Sequence, residues 1–113
     1  RAHPVRVAMV GSAIVGFYGL LVPDGGAVGE GELDFMFVAD GWQGRGVGRR
    51  LFDDMRQLAA SLGLRQVHVV SHPPAEAFYR AQGAVRIGEE LPAGRVTWAR
   101  PRLVVPIGAA AQR

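Results

Sequence analysis

The sequence predicts a mixed α/β domain with a sheet built from short strands. Short runs rich in β-branched and aromatic residues, such as Ala13 to Val22, are typical of strands. Between two such runs, residues 51–62 place apolar side chains at the period of a helix. A strand, helix, strand order favours a parallel strand pair with a right-handed connection. The rest of the sheet is expected to be antiparallel.

The first half of the chain is predicted to contain three strands. Val5 to Val10 and Ala13 to Val22 flank the turn Gly11-Ser12, which favours an antiparallel hairpin. Glu32 to Val38 follows a loop rich in Pro, Asp and Gly, and we expect it to pair with the second strand.

The third strand alternates in polarity. Leu33, Phe35 and Phe37 alternate with Asp34 and Met36, which is the period of two that a strand requires. This pattern predicts that the three apolar residues share one face.

The helix that follows has one apolar face. Its residues fall at i, i+4, i+7, i+8 and i+11, so we expect them to belong to the core. Gly63 stands where a helix commonly ends. The residues of this face are Leu51, Met55, Leu58, Ala59 and Leu62.

The second half of the chain is expected to form three strands around a short helix. The first of these strands should lie parallel to Glu32 to Val38, because a helix connects the two. Pro101 cannot donate a ladder hydrogen bond, so the last strand is expected to lie at an edge or to carry a bulge. An exposed final strand would allow pairing in a homodimer. The elements are Leu64 to Ser71, the helix Ala75 to Gln82, and the closing strands Ala84 to Glu89 and Val96 to Ile107.

Composition limits the classes of function. The 113 residues suit one domain, 1–113, and 49% are apolar, as in a globular protein. The chain has no Cys, which excludes disulfides and a Cys nucleophile and predicts a cytoplasmic location. Ala13 to Val22 is too short to span a bilayer, so no membrane partner is expected. The thirteen basic residues are all Arg and form no basic run, which favours a solvated surface over a nucleic-acid site.

A glycine-rich turn joins the third strand to the long helix. Gly44, Gly46 and Gly48 are spaced two apart, and several amides can point into one concavity where the helix dipole is positive. Such a turn is a phosphate cradle. A P-loop is excluded because the chain has no Lys. The dinucleotide fingerprint fails because Arg49 replaces its third small residue and no acid stands about 20 residues further on.

The segment from Gln43 to Gly48 matches the pattern Q/R-x-x-G-x-G/A, and with it the chain resembles the GNAT family of N-acetyltransferases. Two further landmarks extend the resemblance from about Val5 to Ile107. Glu32 stands eleven residues before Gln43, and residues 75–83 reproduce the family's A-x-x-F-Y-x-x-x-G run.

The resemblance implies a GNAT-like sheet, mostly antiparallel, whose central parallel strands splay apart to admit the pantetheine arm of acetyl-CoA. It implies transfer of the acetyl group by direct attack of a primary amine in a ternary complex. The acceptor amine would belong to a small molecule, a peptide or a protein. A non-catalytic CoA-binding or interaction module on the same fold is the alternative.

The resemblance also assigns roles to residues. Glu32 is expected to be the general base and Tyr79 the general acid, with Asp34 or His72 as alternative or assisting bases. Two His, His68 and His72, lack a third ligand, so no metal is expected. Phe37 and Val38 would pair with the pantetheine arm. The pyrophosphate would lie on the turn formed by Gln43, Gly44, Arg45, Gly46, Val47, Gly48 and Arg49.

Family members usually begin with a strand and two helices that form part of the acceptor wall. This sequence begins at the equivalent of the second strand. We therefore expect those elements to lie upstream of Arg1, or the acceptor cleft to be open or completed by a partner chain. The resemblance does not identify the acceptor.

Overall fold

The computed structural model describes residues 3–22 and 29–107 and contains a six-stranded sheet with two helices. The strands lie in the order β1-β2-β3-β4-β6-β5. All neighbouring pairs are antiparallel except β3 and β4, which are parallel. This is the predicted mixed α/β architecture. The elements are β1 Val5–Val10, β2 Ala13–Leu21, β3 Glu30–Val38, α1 Val47–Ser61, β4 Gln66–Val70, α2 Glu76–Ala81, β5 Val85–Glu90 and β6 Arg100–Pro106.

Both helices cover the same face of the sheet. Phe52 of α1 contacts Phe78 and Tyr79 of α2, with ring centroids 6.2 and 6.1 Å apart. The core lies between these helices and the inward side chains of the strands. Gly63, at φ +77°, ends α1 as predicted.

The buried face of α1 differs in part from the predicted one. Leu51, Met55 and Ala59 are buried, but Leu62 is 45% exposed and Phe52, absent from the predicted face, is fully buried. The i+11 position falls at the C-cap, beyond the last full turn against the sheet, so it no longer faces the core.

A β-bulge breaks the alternation in β3. Gly19 pairs with Phe35 and Leu20 pairs with Leu33, so Asp34 is an additional residue with no partner on β2. Leu33 is buried, whereas Phe35 and Phe37 lie on the face away from the helices and are partly exposed. The predicted common face for the three apolar residues is therefore wrong.

The last strand also differs from the prediction. β6 lies between β4 and β5, and the sheet edges are β1 and β5. Pro101 is buried within this internal strand, next to the edge strand β5, and the irregularity in pairing lies on β5, between Arg86 and Gly88. The predicted exposed edge on the final strand is therefore wrong, and homodimer formation stays a prediction.

A buried tyrosine links the hairpin to α1. The Tyr18 hydroxyl donates to Asp54 Oδ2 at 2.7 Å, and Arg6 Nε donates to the same oxygen at 3.0 Å. The Arg6 hydrogen bond lowers the pKa of Asp54 from its ordinary 3.8. Burial, and then the bond to Asp54, raise the pKa of Tyr18. Within residues 3–22 and 29–107, no helix combines the length and apolarity needed to cross a bilayer.

Candidate functional site

The parallel strands separate at their C-terminal ends. β3 and β4 pair only from Glu30 with Gln66 to Leu33 with Val69, although β3 continues to Val38. The second half of β3 therefore has one edge that no strand in residues 3–22 and 29–107 covers, and this edge borders an opening between β3 and β4.

Backbone direction decides which groups face the opening. The Ala39 amide donates to Val15 on the β2 side at 2.9 Å, so by alternation Phe37 also points its backbone groups at β2. Val38 points the other way, towards the opening. Phe37 therefore does not suit the backbone contact assigned to it, and its ring stacks on Phe17 on the far face, with centroids 5.3 Å apart. Val38 suits that contact.

The glycine-rich turn presents bare amides beside this opening. Gly44 and Gly46 adopt φ of +77° and +84°, and a Cβ on either would meet nothing within 4 Å, so the space above them is open. The first amide of α1 with a helical acceptor is that of Arg50, which donates to the Gly46 carbonyl at 3.1 Å. In the described part of the chain, the backbone amides of residues 44–49 have no backbone acceptor.

The turn is held to the strand by a side chain. Gln43 Nε2 donates to the Val38 carbonyl at 3.2 Å, which fixes the start of the turn against the end of β3. Gly48 lets Phe78 approach, because a Cβ there would lie 3.3 Å from the Phe78 ring. The Arg45 guanidinium lies over the Trp42 ring, 5.1 Å from its centroid.

A cavity of about 460 Å³ lies between the turn, β3 and α2. Tyr79 is the ionisable acid on its wall, and burial raises the pKa of its hydroxyl above 10. That hydroxyl has no hydrogen-bond partner within the described residues. The cavity is lined by Met36, Val38, Gln43, Gly44, Gly46, Gly48, Arg49, Ala75, Phe78 and Tyr79. Met36, Ala75 and Phe78 were not predicted for the site. The F-Y run signals Phe78, whereas Met36 resembles any core residue.

A second cavity of about 360 Å³ begins where the strands separate. Glu32 and Asp34 both line it, so the structure brings the two predicted carboxylates together. Asp34 Oδ2 lies 3.1 Å from His3 Nε2. Glu32 forms no ion pair or side-chain hydrogen bond with any described residue. The other lining residues are Leu33, Val70, Glu90, Arg100 and Arg102.

The two histidines do not join these carboxylates. His68 lies in β4, with Nε2 2.5 Å from Glu30 and Nδ1 3.2 Å from Arg102. His72 lies beyond β4, exposed, with its ring 6.2 Å from that of Trp98, and it lines neither cavity. Among the described residues, no three His, Asp or Glu side chains are grouped so that they could hold a metal ion.

Arg100 is a wall residue of the second cavity that sequence reasoning missed. Its Nε is buried without a hydrogen-bond partner among the described residues. Neighbouring Arg102 is fully engaged, donating from Nε and Nη2 to Glu90 at 3.0 and 2.8 Å. The sequence does not indicate which of the thirteen Arg lacks a partner, because side-chain pairing depends on which strands are neighbours in the fold.

The glycine-rich turn, with its bare backbone amides beside the opening between β3 and β4, suits a ligand that has phosphate groups and an extended arm. The family model described as "Acetyltransferase (GNAT) domain" matches residues 1–83. The chain therefore belongs to the GNAT family of acetyltransferases, which places it among the acyltransferases. A comparison with curated protein sequences finds no match.

Solved structures of the family share the fold. The GNAT acetyltransferase from Streptococcus pneumoniae has a TM-score of 0.80 at 20% identity, over 92% of this chain and 66% of its own. The ribosomal-protein-S18-alanine N-acetyltransferase from Escherichia coli gives 0.78 at 17%, over 94% and 70%. An aminoglycoside 6'-N-acetyltransferase complexed with coenzyme A gives 0.76 at 17%, over 90% and 70%. The chain thus spans about two thirds of the length of these structures.

Proposed function

We propose that the protein transfers the acetyl group of acetyl-CoA to a primary amine, by direct attack within a ternary complex. The observation that carries this proposal is the turn at residues 44–49, whose amides have no backbone acceptor among the described residues and border the opening between β3 and β4. A diphosphate on the turn and an amide-bearing arm along β3 would satisfy both sets of unpaired groups. The structure with coenzyme A among the similar folds supports the same co-substrate.

The proposed reaction replaces the C–S bond of the thioester with a C–N bond. The acceptor ammonium loses a proton, and its nitrogen attacks the thioester carbonyl carbon. A C–N bond forms, the C–S bond breaks, and the nitrogen loses a second proton. The thiolate takes up one proton, so the products are an amide, the free thiol of CoA and one released proton. The Val38 amide, which faces the opening, is the proposed donor to the carbonyl oxygen as negative charge develops on it.

Proton transfer is assigned to residues on opposite sides of the gap. Glu32 would accept the ammonium proton directly or through water, because its carboxylate has no protein partner among the described residues. Tyr79 would donate to the departing thiolate. Its raised pKa keeps the hydroxyl protonated at neutral pH, as a general acid requires. Arg45 and Arg49 are the proposed side-chain contacts of the phosphates.

Acetylation assays on two variants test these roles. We expect Glu32→Gln and Tyr79→Phe each to lower kcat by about 10²-fold, the lower end of general acid and base contributions. Acetyl-CoA affinity, measured by calorimetry, should stay within about twofold for both. The control is Glu89→Gln, which removes a carboxylate that lines neither cavity.

Two outcomes would contradict different parts of the proposal. Unchanged turnover in both variants would reject the assigned base and acid. Tight acetyl-CoA binding with no product across a broad panel of amines, peptides and proteins would support the alternative of a non-catalytic CoA-binding module. Failure to bind acetyl-CoA at all would reject the use of the turn as a diphosphate site.

A further inference from the structure

The second cavity holds an unpaired charge of each sign. Arg100, on β6, forms no ion pair or side-chain hydrogen bond within the described ranges, and its Nε is buried. Glu32, on β3, is equally without a partner there. A buried guanidinium nitrogen without an acceptor is costly, so a ligand that supplies one would be bound favourably.

The nearby carboxylates do not supply that acceptor. Glu90, the cross-strand neighbour of Arg100, accepts two hydrogen bonds from Arg102. Asp34 is engaged with His3. Among the described residues Arg100 therefore has no acceptor and is open to an external anion, while Arg102, on the same face of β6, is already engaged.

The cavity lies where the proposed acceptor would bind. Alternation along β6 places Arg100 and Arg102 on the sheet face opposite the helices, since Pro101 and Leu103 between and beyond them are buried. Glu32 lies on this face because Leu33, its neighbour, is buried against the helices. At about 360 Å³ the cavity is near the lower limit of about 300 Å³ for small-molecule sites.

We propose that the acceptor is a small amino carboxylic acid, whose carboxylate binds Arg100 while its amine is directed to Glu32. This inference rests on the proposed acetyltransferase function and specifies its substrate class. A planar guanidinium matches a carboxylate through two parallel N–H donors, one of them the Nε that is unpaired here. The fixed positions of the two charges on β3 and β6 would select the spacing between amine and carboxylate.

Matched pairs of acceptors test the proposal. The panel runs through the unbranched ω-amino acids from glycine to 5-aminopentanoate, each beside its own carboxamide, with acetyl-CoA saturating. We expect kcat/KM for the best acid to exceed that of its amide by about tenfold or more, chiefly through KM, since Arg100 contacts a part of the acceptor that does not react. Amides equal to or better than the acids at every length would overturn the proposal. So would a stronger preference for the matching aminophosphonates.

Variants attribute the preference to one residue. Arg100→Gln should abolish the acid-over-amide preference, because kcat/KM should fall far more for the acids than for the amides, and Arg100→Lys should restore only part of the preference. Arg95→Gln, which removes an exposed Arg without a described partner, is the matched control and should keep the preference. A preference that survives Arg100→Gln would overturn the assignment.

Two failures remain distinguishable. If amines are acetylated without regard to the carboxylate, the acetyltransferase function holds and the substrate class is wrong. If no amine is acetylated, the NMR signal of the Arg100 Nε–H, assigned by comparison with Arg100→Lys, still reports on binding. It should shift with the ω-amino acids and not with their amides, and a signal unmoved by every acid would reject the carboxylate site.

Discussion

At the residue scale, the turn depends on a backbone conformation that only glycine adopts cheaply. Gly46 is the N-cap of α1 at φ +84°, and a Cβ there would meet no other atom. We expect Gly46→Ala to lower the free energy of unfolding by about 1 kcal/mol, the cost of a left-handed conformation for an L-residue. It should also weaken CoA binding, because relief of the strain would turn the neighbouring amides.

The matched control for this variant is Gly41→Ala. Gly41 also has open space around its Cβ position but an ordinary φ, so its replacement should change neither stability nor binding appreciably. Chemical denaturation and calorimetry on both variants provide the measurements. Equal effects at the two positions would show that the left-handed turn is not what the site requires.

Residue identity predicted part of this site. The glycine spacing, Gln43 and the F-Y run predicted residues that line one cavity in the structure. Each of these signals lies within a short stretch of sequence, so it can be recognised without the fold. Arg100 was not predicted, because it lacks a described partner only when Glu90 on β5 accepts from Arg102 on β6 instead. No local pattern in a sequence encodes such a competition.

At the element scale, the docking of the first hairpin on α1 should depend on pH. Arg6 and the Tyr18 hydroxyl both donate to Asp54, which holds its pKa below 3.8. A depressed folded-state pKa means that the contribution to stability is complete above about pH 4 and is lost as the pH falls through the folded pKa. Asp54→Asn should therefore be less stable than the wild type at pH 7, with the difference shrinking below pH 4.

Urea unfolding of both proteins from pH 2.5 to 7 measures this difference. Asp53→Asn, one position earlier on the exposed side of α1, is the control and should run parallel to the wild type. A difference in unfolding free energy between Asp54→Asn and the wild type that stays constant down to pH 2.5 would show that packing, and not the charge of Asp54, holds the hairpin on α1.

The positions of the strands and helices along the sequence were predicted well, but how these elements pair and pack was predicted less well. Periodicity and turn residues located all six strands and both helices, because these signals lie within each element. Three features depend on contacts between distant segments and were not predicted. They are the bulge at Asp34, the burial of Phe52 and the internal position of β6. Pro101 predicts an edge, yet it lies between two strands, at the point where pairing with β4 ends at Arg102, and its carbonyl still accepts from the Ser71 amide.

At the scale of the whole molecule, the sheet consists of two halves joined by a short parallel contact. β1, β2 and β3 lie on one side and β4, β6 and β5 on the other, joined from Glu30 with Gln66 to Leu33 with Val69. A CoA molecule bound in the gap would contact both halves. We expect saturating CoA to raise the stability by about 2.7 kcal/mol at 100 times its Kd.

Thermal unfolding and amide hydrogen exchange test this coupling together. The amides of Val67 and Val69 should gain protection with CoA, although they lie outside both cavities. Adenosine 3'-phosphate 5'-diphosphate, which keeps the diphosphate but lacks the pantetheine arm, is the control ligand and should stabilise less. Protection confined to the glycine-rich turn would mean that the arm does not bridge the two halves.

The surplus residue in β3 has an architectural consequence. A bulge bends its own strand, and Asp34 stands just after the last position at which β3 and β4 remain partners. The opening between β3 and β4 therefore begins where three residues of β3, Leu33 to Phe35, lie opposite two residues of β2. Deletion of Asp34 would keep Leu33 and Met36 on the helix side and straighten the strand, so that pairing with β4 could extend to the end of β4 at Val70. We expect the shortened chain to fold and to bind acetyl-CoA more weakly than the wild type, as measured by calorimetry.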